Sequence, residues 1–179
     1  MLLLPLLRLL YGQAPLATWS VPSGVVLTAL GVALRTWAAG CLHKDGRLAT
    51  GGPYALCRHP LYAGSGIIAL GHGCMSALTL APVLCTALWF WLYRCAMHEE
   101  DEFQAGLHGE QHSNYREQVP MVPFLPVRRR TGKTSGIRGS TRFSWSQVMR
   151  NREYEAVLVN TLAVMFYLWL HYRNPPEGP

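Results

Sequence analysis

Four stretches of the sequence are long and apolar enough to cross a bilayer, and they constrain the fold more than any other feature. A hydrocarbon core about 30 Å thick requires roughly 20 mostly apolar residues in a helix. The stretches that qualify are residues 22–40, 61–78, 80–97 and 156–172. A shorter apolar stretch, residues 2–11, contains Pro5 and Arg8 and is better interpreted as an interfacial helix than as a signal peptide or a full span. We therefore expect an all-α integral membrane protein with four or five transmembrane helices.

The placement of the basic residues predicts how these helices are oriented. Only a few residues near Thr79 separate the second and third stretches, so they should form an antiparallel hairpin. Residues 44–58 and 97–154 then lie on the same side, and more than half of the 16 Lys and Arg fall in the second of these intervals. By the positive-inside rule that side is the cytoplasm. Because Arg greatly outnumbers Lys, as in GC-rich bacteria, we expect a multi-pass protein of a bacterial inner membrane whose site faces the cytoplasm.

The formal charge of +6 could also indicate nucleic-acid binding. The basic residues, however, lie in the loops beside apolar segments, and the run at residues 127–142 is expected to lie near anionic lipid head groups. The predicted macromolecular partner is therefore the lipid bilayer, not a nucleic acid.

Three segments are predicted along the chain. Residues 1–126 form a membrane-embedded core, and residues 127–142, with three consecutive Arg, form a basic flexible linker. Residues 143–179 contain an amphipathic surface helix, residues 143–154, followed by the last transmembrane helix.

The stretch at residues 48–66 is the most informative for chemistry. Gly51-Gly52-Pro53 predicts a turn, and Pro60 is well placed as the first residue of a membrane helix. Arg58 and His59 then lie at a helix N-terminus, where free N–H groups and the helix dipole could hold a carboxylate or phosphate. The alternative is that Arg58 and His59 only anchor the helix at the lipid head groups.

An acidic run follows the third apolar stretch at residues 99–102. Four consecutive acids at the C-terminal end of a helix repel one another and oppose its dipole, so at least one is expected to have a partner or ligand. A solvated acidic surface is the alternative.

Arg35 is a cation within an apolar helix, near its predicted cytoplasmic end. It either extends its charge to the interface or binds the acidic head of an amphiphilic substrate. Small residues in the second apolar stretch indicate either close helix packing or a ligand groove; they are Gly64, Gly66, Ala69 and Gly73.

Metal and disulfide chemistry are not expected. The five cysteines form an odd set with no Cys-x-x-Cys pair, so we expect reduced, packed thiols. The spacing of His108 and His112 raises the possibility of a di-iron oxygenase, but such sites need about eight His in several boxes and the chain has 7.

Taken together, several strings resemble one family of integral-membrane methyltransferases, which includes isoprenylcysteine carboxyl methyltransferases and phospholipid N-methyltransferases. The resemblance covers residues 34–124, about half of the chain. It consists of Arg35, Leu48-x-Thr50-x-Gly52-x-Tyr54, Arg58-His59-Pro60-x-Tyr62-x-Gly64, Glu99-Glu100, and Gly109 through Tyr115 to Val119-Pro120.

The resemblance implies S-adenosylmethionine as the cofactor. The cofactor-binding residues that it implies are Thr50, Gly52, Tyr54, Arg58, His59, Tyr62, Glu99, Glu100 and Tyr115. Arg58 and His59 would serve the methionine end, and Glu99 or Glu100 the amino or ribose hydroxyl groups. Arg35, which would orient the substrate, and Glu99 are the implied catalytic residues.

Methyl transfer from a sulfonium needs alignment and exclusion of water more than acids and bases. The acceptor is expected to be lipophilic and to come from the bilayer. Arg35 favours an acidic acceptor, such as the carboxyl group of an isoprenylcysteine-like molecule. Phospholipid N-methylation is the alternative, and an amine acceptor would need His59, His98 or a Glu as a base. Gly46 stands where eukaryotic carboxyl methyltransferases have a histidine, so prenylcysteine specificity is not carried over.

Two other classes compete with this interpretation. Sterol reductases use NADPH and carry a related Arg-His-Pro string, but Leu61 and Ser65 replace polar residues that are typical of them. A non-catalytic membrane subunit with the same scaffold is the other alternative. Soluble methyltransferase folds are excluded, because no Gly-rich loop between a strand and a helix is followed by βα units.

Overall fold

The computed structural model describes residues 20–43, 48–76, 80–123 and 142–173. The α-helices are α1 (Ser20–Cys41), α2 (Pro60–Met75), α3 (Ala81–His108), α4 (Glu110–Gln118), α5 (Trp145–Arg150) and α6 (Glu153–Arg173), with a 3₁₀ helix at Gly52–Ala55. No described residue lies in a β-strand, so the predicted all-α class is confirmed. The predicted helix at residues 2–11 and the basic linker, apart from Arg142, lie outside the described residues.

Two of the described helices, α1 and α6, are long and apolar enough to cross a membrane. They correspond to the first and fourth predicted spans. Helix α2 has 16 residues, fewer than the roughly 20 that a full span requires. Helix α3 has 28 residues, because it continues from the third apolar stretch through the acidic run.

The chain divides into two compact units. In the first, which contains residues 20–32, 65–76, 80–91 and 154–173, small residues allow the helices to pack closely. A Cβ atom on Gly71 would lie 2.8 Å from the Gly24 carbonyl oxygen, and one on Gly66 would lie 3.0 Å from the Trp89 ring. One on Gly73 would lie 2.6 Å from Pro82 Cα. The packing interpretation of Gly66 and Gly73 is therefore the one that the structure supports.

The first unit also contains a buried polar pair. His72 Nε2 lies 2.9 Å from Asn160 Oδ1, and Asn160 Nδ2 donates to the Ala156 carbonyl. Because the Asn160 amide nitrogen is already donating, its oxygen accepts and His72 Nε2 carries the proton. The pair joins α2 to α6 with polar groups that would otherwise be buried without compensation.

The second unit contains residues 33–43, 48–64, 92–123 and 142–153. Asn151 lies at the C-terminal end of α1, where its Nδ2 donates to the carbonyls of Ala39 and Leu42 at 2.8 and 3.0 Å. The Leu42 carbonyl lies just beyond the helix, and the Ala39 carbonyl also accepts a long bond of 3.4 Å from the Leu42 amide, so Asn151 supplies a donor to both at the helix end.

The prediction of one amphipathic helix at residues 143–154 is wrong in that the helix is interrupted. The structure has the short helix α5, a break at Asn151 and Arg152, and then the start of α6. Arg152 has a φ of 56°, a left-handed conformation that ends a helix. The amphipathic character is present within α5, because Trp145 and Met149 are exposed whereas Val148 is buried.

Candidate functional site

The loop before α2 is fixed by a turn that requires glycine. Gly52 has a φ of +61°, and a Cβ atom there would lie 2.9 Å from Cys41 Sγ. Tyr54 follows in the 3₁₀ helix and is 7% exposed. The turn predicted from Gly51-Gly52-Pro53 is therefore confirmed, and it places Tyr54 inside the second unit.

The segment after α4 pairs with the start of α2. The backbone N–H groups of Arg58 and His59 donate to the carbonyls of Pro120 and Met121 at 2.8 and 3.1 Å. The expectation of free amides at these two positions is therefore wrong. Proline prevents the segment from continuing as a helix, so its carbonyls are available to accept these bonds.

A buried carboxylate, Asp101, organises the charged side chains of this region. Its Oδ2 pairs with Arg58 Nη1, and its Oδ1 lies 3.2 Å from His59 Nε2 and 3.6 Å from His112 Nε2. Arg58 also donates from Nε to the Val119 carbonyl at 3.2 Å. Asp101 is 3% exposed, so its charge is compensated by the protein instead of by water.

His59 bridges two carboxylates. Its Nδ1 lies 3.6 Å from Glu100 Oε2 and its Nε2 faces Asp101. Burial lowers the pKa of His59, but the hydrogen bonds to Asp101 and Glu100 outweigh it and raise the pKa above the ordinary value. Burial likewise raises the pKa of Asp101, and the bond from His59 and the Arg58 charge outweigh it, so this pKa is lowered. The favoured state is an imidazolium between two carboxylates.

Neutral side chains complete the region. Tyr115 donates from its hydroxyl to the Tyr54 carbonyl at 2.6 Å, and burial raises the pKa of both tyrosines. Burial also raises the pKa of Cys57 to about 11, against a smaller lowering from the His59 backbone. All three remain protonated near neutral pH, so Cys57 is not an activated nucleophile.

These groups surround a cavity of about 260 Å³ that lies wholly within the second unit. Five of the predicted site residues line it: Tyr54, Arg58, His59, Glu100 and Tyr115. Five further polar residues line it: His43, Asp101, Gln104, His108 and His112. Apolar contact is provided by Leu42, Leu48, Ala49 and Leu107.

The other predicted site residues do not line this cavity. Thr50 is buried and Gly52 forms the turn beside it. Tyr62 lies with its ring centroid 5.8 Å from His59 and 5.2 Å from Tyr93. Glu99 is exposed, one position along α3 from Glu100.

Arg35 is engaged by a carboxylate of the chain itself. Its Nε and Nη2 donate to the two carboxylate oxygens of Glu153 at 2.6 and 2.9 Å. Its Nη1 lies 3.4 Å from the Leu61 carbonyl. This bidentate pair compensates the Arg35 charge without a substrate.

Asp101, Gln104 and His112 were not predicted as site residues: Asp101 was one member of the acidic run, and His112 was considered only with His108 as a possible metal ligand. A signal for Asp101 and Gln104 was present, because Met97, Asp101, Gln104 and His108 follow helical spacing and Met97 is 1% exposed. That pattern identifies the buried face of α3. The spacing of His108 and His112 gave no indication of this role for His112, whose place depends on how α4 packs.

The arrangement can bind a polar, partly cationic ligand. It combines an accessible carboxylate, Glu100, with aromatic and apolar walls. Among the described residues, no group of three or more His, Cys, Asp or Glu side chains could hold a metal ion.

Comparison with known proteins agrees with the strings described above. The family model for phospholipid methyltransferases matches residues 19–111. No solved structure matches the chain.

Three curated relatives are similar over part of their length. The cobalt-zinc-cadmium resistance protein CzcN of Cupriavidus metallidurans is 37% identical over 69% of this chain and 61% of its own. The nickel-cobalt-cadmium resistance protein NccN of Alcaligenes xylosoxydans xylosoxydans is 36% identical over 47% of this chain and 42% of its own. The protein-S-isoprenylcysteine O-methyltransferase of Schizosaccharomyces pombe is 29% identical over 47% of this chain and 36% of its own.

The chain thus spans less than two thirds of the length of each of these relatives. The family model nevertheless matches more than half of it, and two of its described helices are apolar enough to cross a membrane. The chain is a membrane protein, and it belongs to the phospholipid methyltransferase family.

Proposed function

We propose that this chain is an S-adenosylmethionine-dependent methyltransferase that acts on a lipophilic acceptor. The observation that carries the proposal is the cavity of the second unit, where Glu100 lies beside the compensated cluster of Arg58, His59 and Asp101. The family match supports the same activity.

The chemistry of the cavity fits this cofactor. S-adenosylmethionine supplies a methyl group on a positively charged sulfur, together with an amino group, a carboxylate and a nucleoside. The Glu100 side chain is 45% exposed and can accept from the amino or ribose hydroxyl groups. Tyr54 and Tyr115 offer aromatic surface to a cation. Leu42 and Leu48 offer apolar surface to a base.

The protein's contribution to the reaction is to position groups and exclude water. Asp101 holds Arg58 and His59 in place, and His59 in turn faces Glu100. The side chains of Arg58 and His59 are therefore engaged by acids of the chain. In our proposal they fix the carboxylate that binds the cofactor, in addition to any contact with its methionine end.

The acceptor is proposed to approach from the bilayer. Large hydrophobic side chains of the second unit are exposed, including Leu56 at 61%, Phe103 at 65% and Leu107 at 59%. Large apolar side chains exposed to this extent suit contact with lipid. A lipid-soluble acceptor therefore needs no aqueous path to reach the second unit.

The acceptor atom is proposed to be a carboxylate oxygen or an amine nitrogen. The Arg35–Glu153 pair compensates the cation that favours an acidic acceptor. The second candidate function is therefore phospholipid N-methylation, which membership of the phospholipid methyltransferase family favours.

We further propose that α2 and α3 also cross the membrane, giving four spans in the described part of the chain. The 16 residues of α2 fall just short of a usual span, a mismatch that local thinning of the bilayer accommodates. The first half of α3 exposes Val83 at 67%, Leu84 at 63%, Leu88 at 55% and Trp91 at 70%. Such a surface is unfavourable in water. The basic intervals would face the cytoplasm of a bacterial inner membrane, and residues 1–126 would form the catalytic core.

The cofactor proposal is tested by calorimetric titration of the detergent-solubilised protein with S-adenosylmethionine. Glu100→Gln should weaken binding about tenfold or more, since a hydrogen bond to a charged group contributes about 1.5–3 kcal/mol. The matched control is Glu99→Gln, an exposed neighbour outside the cavity, which should bind as the wild type does. Absence of binding to the wild type, or binding of NADPH in its place, would refute the proposal.

The activity is tested by incubating membranes that contain the protein with a labelled methyl donor and separating lipids from peptides. Label in phosphatidylethanolamine derivatives would identify an amine acceptor, and base-labile label would identify a carboxyl ester. No label beyond that in membranes without the protein would contradict methyl transfer.

A further inference from the structure

His112 occupies an unusual position in the cavity. Its side chain is 3% exposed, and it lines the cavity from α4. Its Nε2 faces Asp101 Oδ1 at 3.6 Å. Its Nδ1 is buried and has no hydrogen-bond partner in the part of the chain that the structure describes.

Two imidazoles thus share one carboxylate oxygen. His59 Nε2 lies 3.2 Å from Asp101 Oδ1, nearer than His112, and Arg58 takes the other oxygen. A single negative charge already faces one guanidinium and one imidazolium. A proton on His112 would add a third positive charge around Asp101, without a carboxylate of its own.

The direction of the pKa shifts agrees with this geometry. Burial is the largest effect and lowers the pKa of His112; Asp101 raises it, the neighbouring cationic side chains lower it, and the net shift is downward. The charged and titratable groups that face it are Asp101, Arg58, Arg116 and His108. His59, by contrast, has a raised pKa. At a pH near 6.5, the ordinary pKa of histidine, the protonated form of His59 and the neutral form of His112 are therefore favoured.

We propose that His112 is a specificity-determining residue, which by remaining neutral allows the cavity to bind the sulfonium cofactor in preference to its demethylated product. This inference rests on the proposed function. S-adenosylmethionine carries a positive charge on sulfur, and S-adenosylhomocysteine has a neutral sulfur with the same amino, carboxylate and nucleoside groups. The two ligands differ in the one property that a charge on His112 would affect.

Protonation of His112 then weakens the binding of S-adenosylmethionine but not that of S-adenosylhomocysteine. A cavity of about 260 Å³ is about 8 Å across, and two positive charges at that separation and an effective dielectric of about 20 repel by enough to change an affinity about thirtyfold. Screening by solvent, which reaches the half-exposed Glu100 side chain, reduces this to about tenfold. As the pH falls through the lowered pKa of His112, the ratio of the two affinities should fall about tenfold.

The test is calorimetric titration of the detergent-solubilised protein with each nucleotide separately, between pH 5 and 7.5. In the wild type, acidification should weaken cofactor binding about tenfold relative to product binding. His112→Gln should make the ratio independent of pH, because glutamine keeps a polar group near Asp101 and does not titrate. The matched control, His98→Gln, removes an exposed histidine of α3 that does not line the cavity, and it should retain the wild-type pH dependence.

Product binding by His112→Gln shows that its cavity is intact. If His112→Gln does not fold, the inference is tested on the wild type alone, by measuring how many protons are released when each nucleotide binds. Cofactor binding should release protons as the pH falls below the ordinary histidine pKa of about 6.5, whereas product binding should release fewer, as measured in buffers of different ionisation enthalpy. A wild-type affinity ratio that does not change with pH, or a pH dependence that survives in His112→Gln, would overturn the inference alone. Failure of the wild type to bind either nucleotide would overturn the proposed function as well.

Discussion

Asp101→Asn is expected to destabilise the second unit strongly. Asparagine has nearly the shape of aspartate but no charge, so the Arg58 guanidinium and the His59 imidazolium lose their shared counterion. The side chains of Arg58 and Asp101 are 8% and 4% exposed, so water cannot replace the lost partner. Removing one member of a buried ion pair costs about 3–5 kcal/mol. For a chain of this size that corresponds to a fall in Tm of about 10 °C.

The pH dependence of this effect follows from the two shifts. The pKa of Asp101 is lowered, so its contribution is present above the unfolded value of about 3.9 and is lost as the pH falls through the folded pKa. The pKa of His59 is raised, so its contribution is present below the unfolded value of about 6.5 and is lost as the pH rises through the folded pKa. The difference between wild type and Asp101→Asn should therefore be largest between about pH 4 and 6.5.

The assay is thermal unfolding in detergent across this pH range, followed by circular dichroism. Glu102→Gln is the matched control, because it removes the same charge from the exposed residue that follows Asp101 in α3. It should change Tm by less than about 2 °C, as expected for an exposed group. A decrease in Tm of less than about 2 °C for Asp101→Asn at pH 6, or an equal decrease in Tm for both variants, would refute the reasoning.

Three further outcomes are expected. A double-mutant cycle on Arg35→Ala and Glu153→Ala should give a coupling free energy of about 1–2 kcal/mol in thermal unfolding, since the Arg35 side chain is 23% exposed and partly screened. Additive effects of the two substitutions would show that the side chains do not stabilise each other. Arg35→Ala should leave S-adenosylmethionine binding unchanged and reduce methyl transfer, and normal turnover would limit Arg35 to a structural role. Gly71→Ala should lower stability by about 1–3 kcal/mol, because its Cβ would lie 2.8 Å from a backbone oxygen, whereas Gly106→Ala, with nothing within 4 Å, should be neutral or stabilising.

Much of the helical framework could be predicted from the chain itself. A bilayer or a protein core accepts only backbone groups that are already hydrogen-bonded, so apolar stretches of about 20 residues must be helical. The predicted spans at 22–40 and 156–172 became α1 and α6 with shifts of a few residues. Pro60 and Gly52 also marked a helix start and a turn correctly, because proline and glycine restrict the backbone locally.

The candidate site was only partly predictable, because its residues come from segments far apart in the chain. The strings around Tyr54, Arg58, Glu100 and Tyr115 identified residues that the structure brings to one cavity. They could not show which member of the acidic run faces inward. That depends on the rotation of α3, which turns Asp101 to the interior and leaves Glu99 exposed.

The sequence by itself determined the elements whose physics is local: helices from apolar length, a turn from Gly52, and a helix start from Pro60. The tertiary structure decided the charge pairings of the candidate site and of Arg35. Arg35 pairs with Glu153, 118 residues away in the sequence, and Arg58 pairs with Asp101, 43 residues away. A buried charge requires a partner of opposite sign, but only the packing of the helices chooses which of the available carboxylates comes within reach.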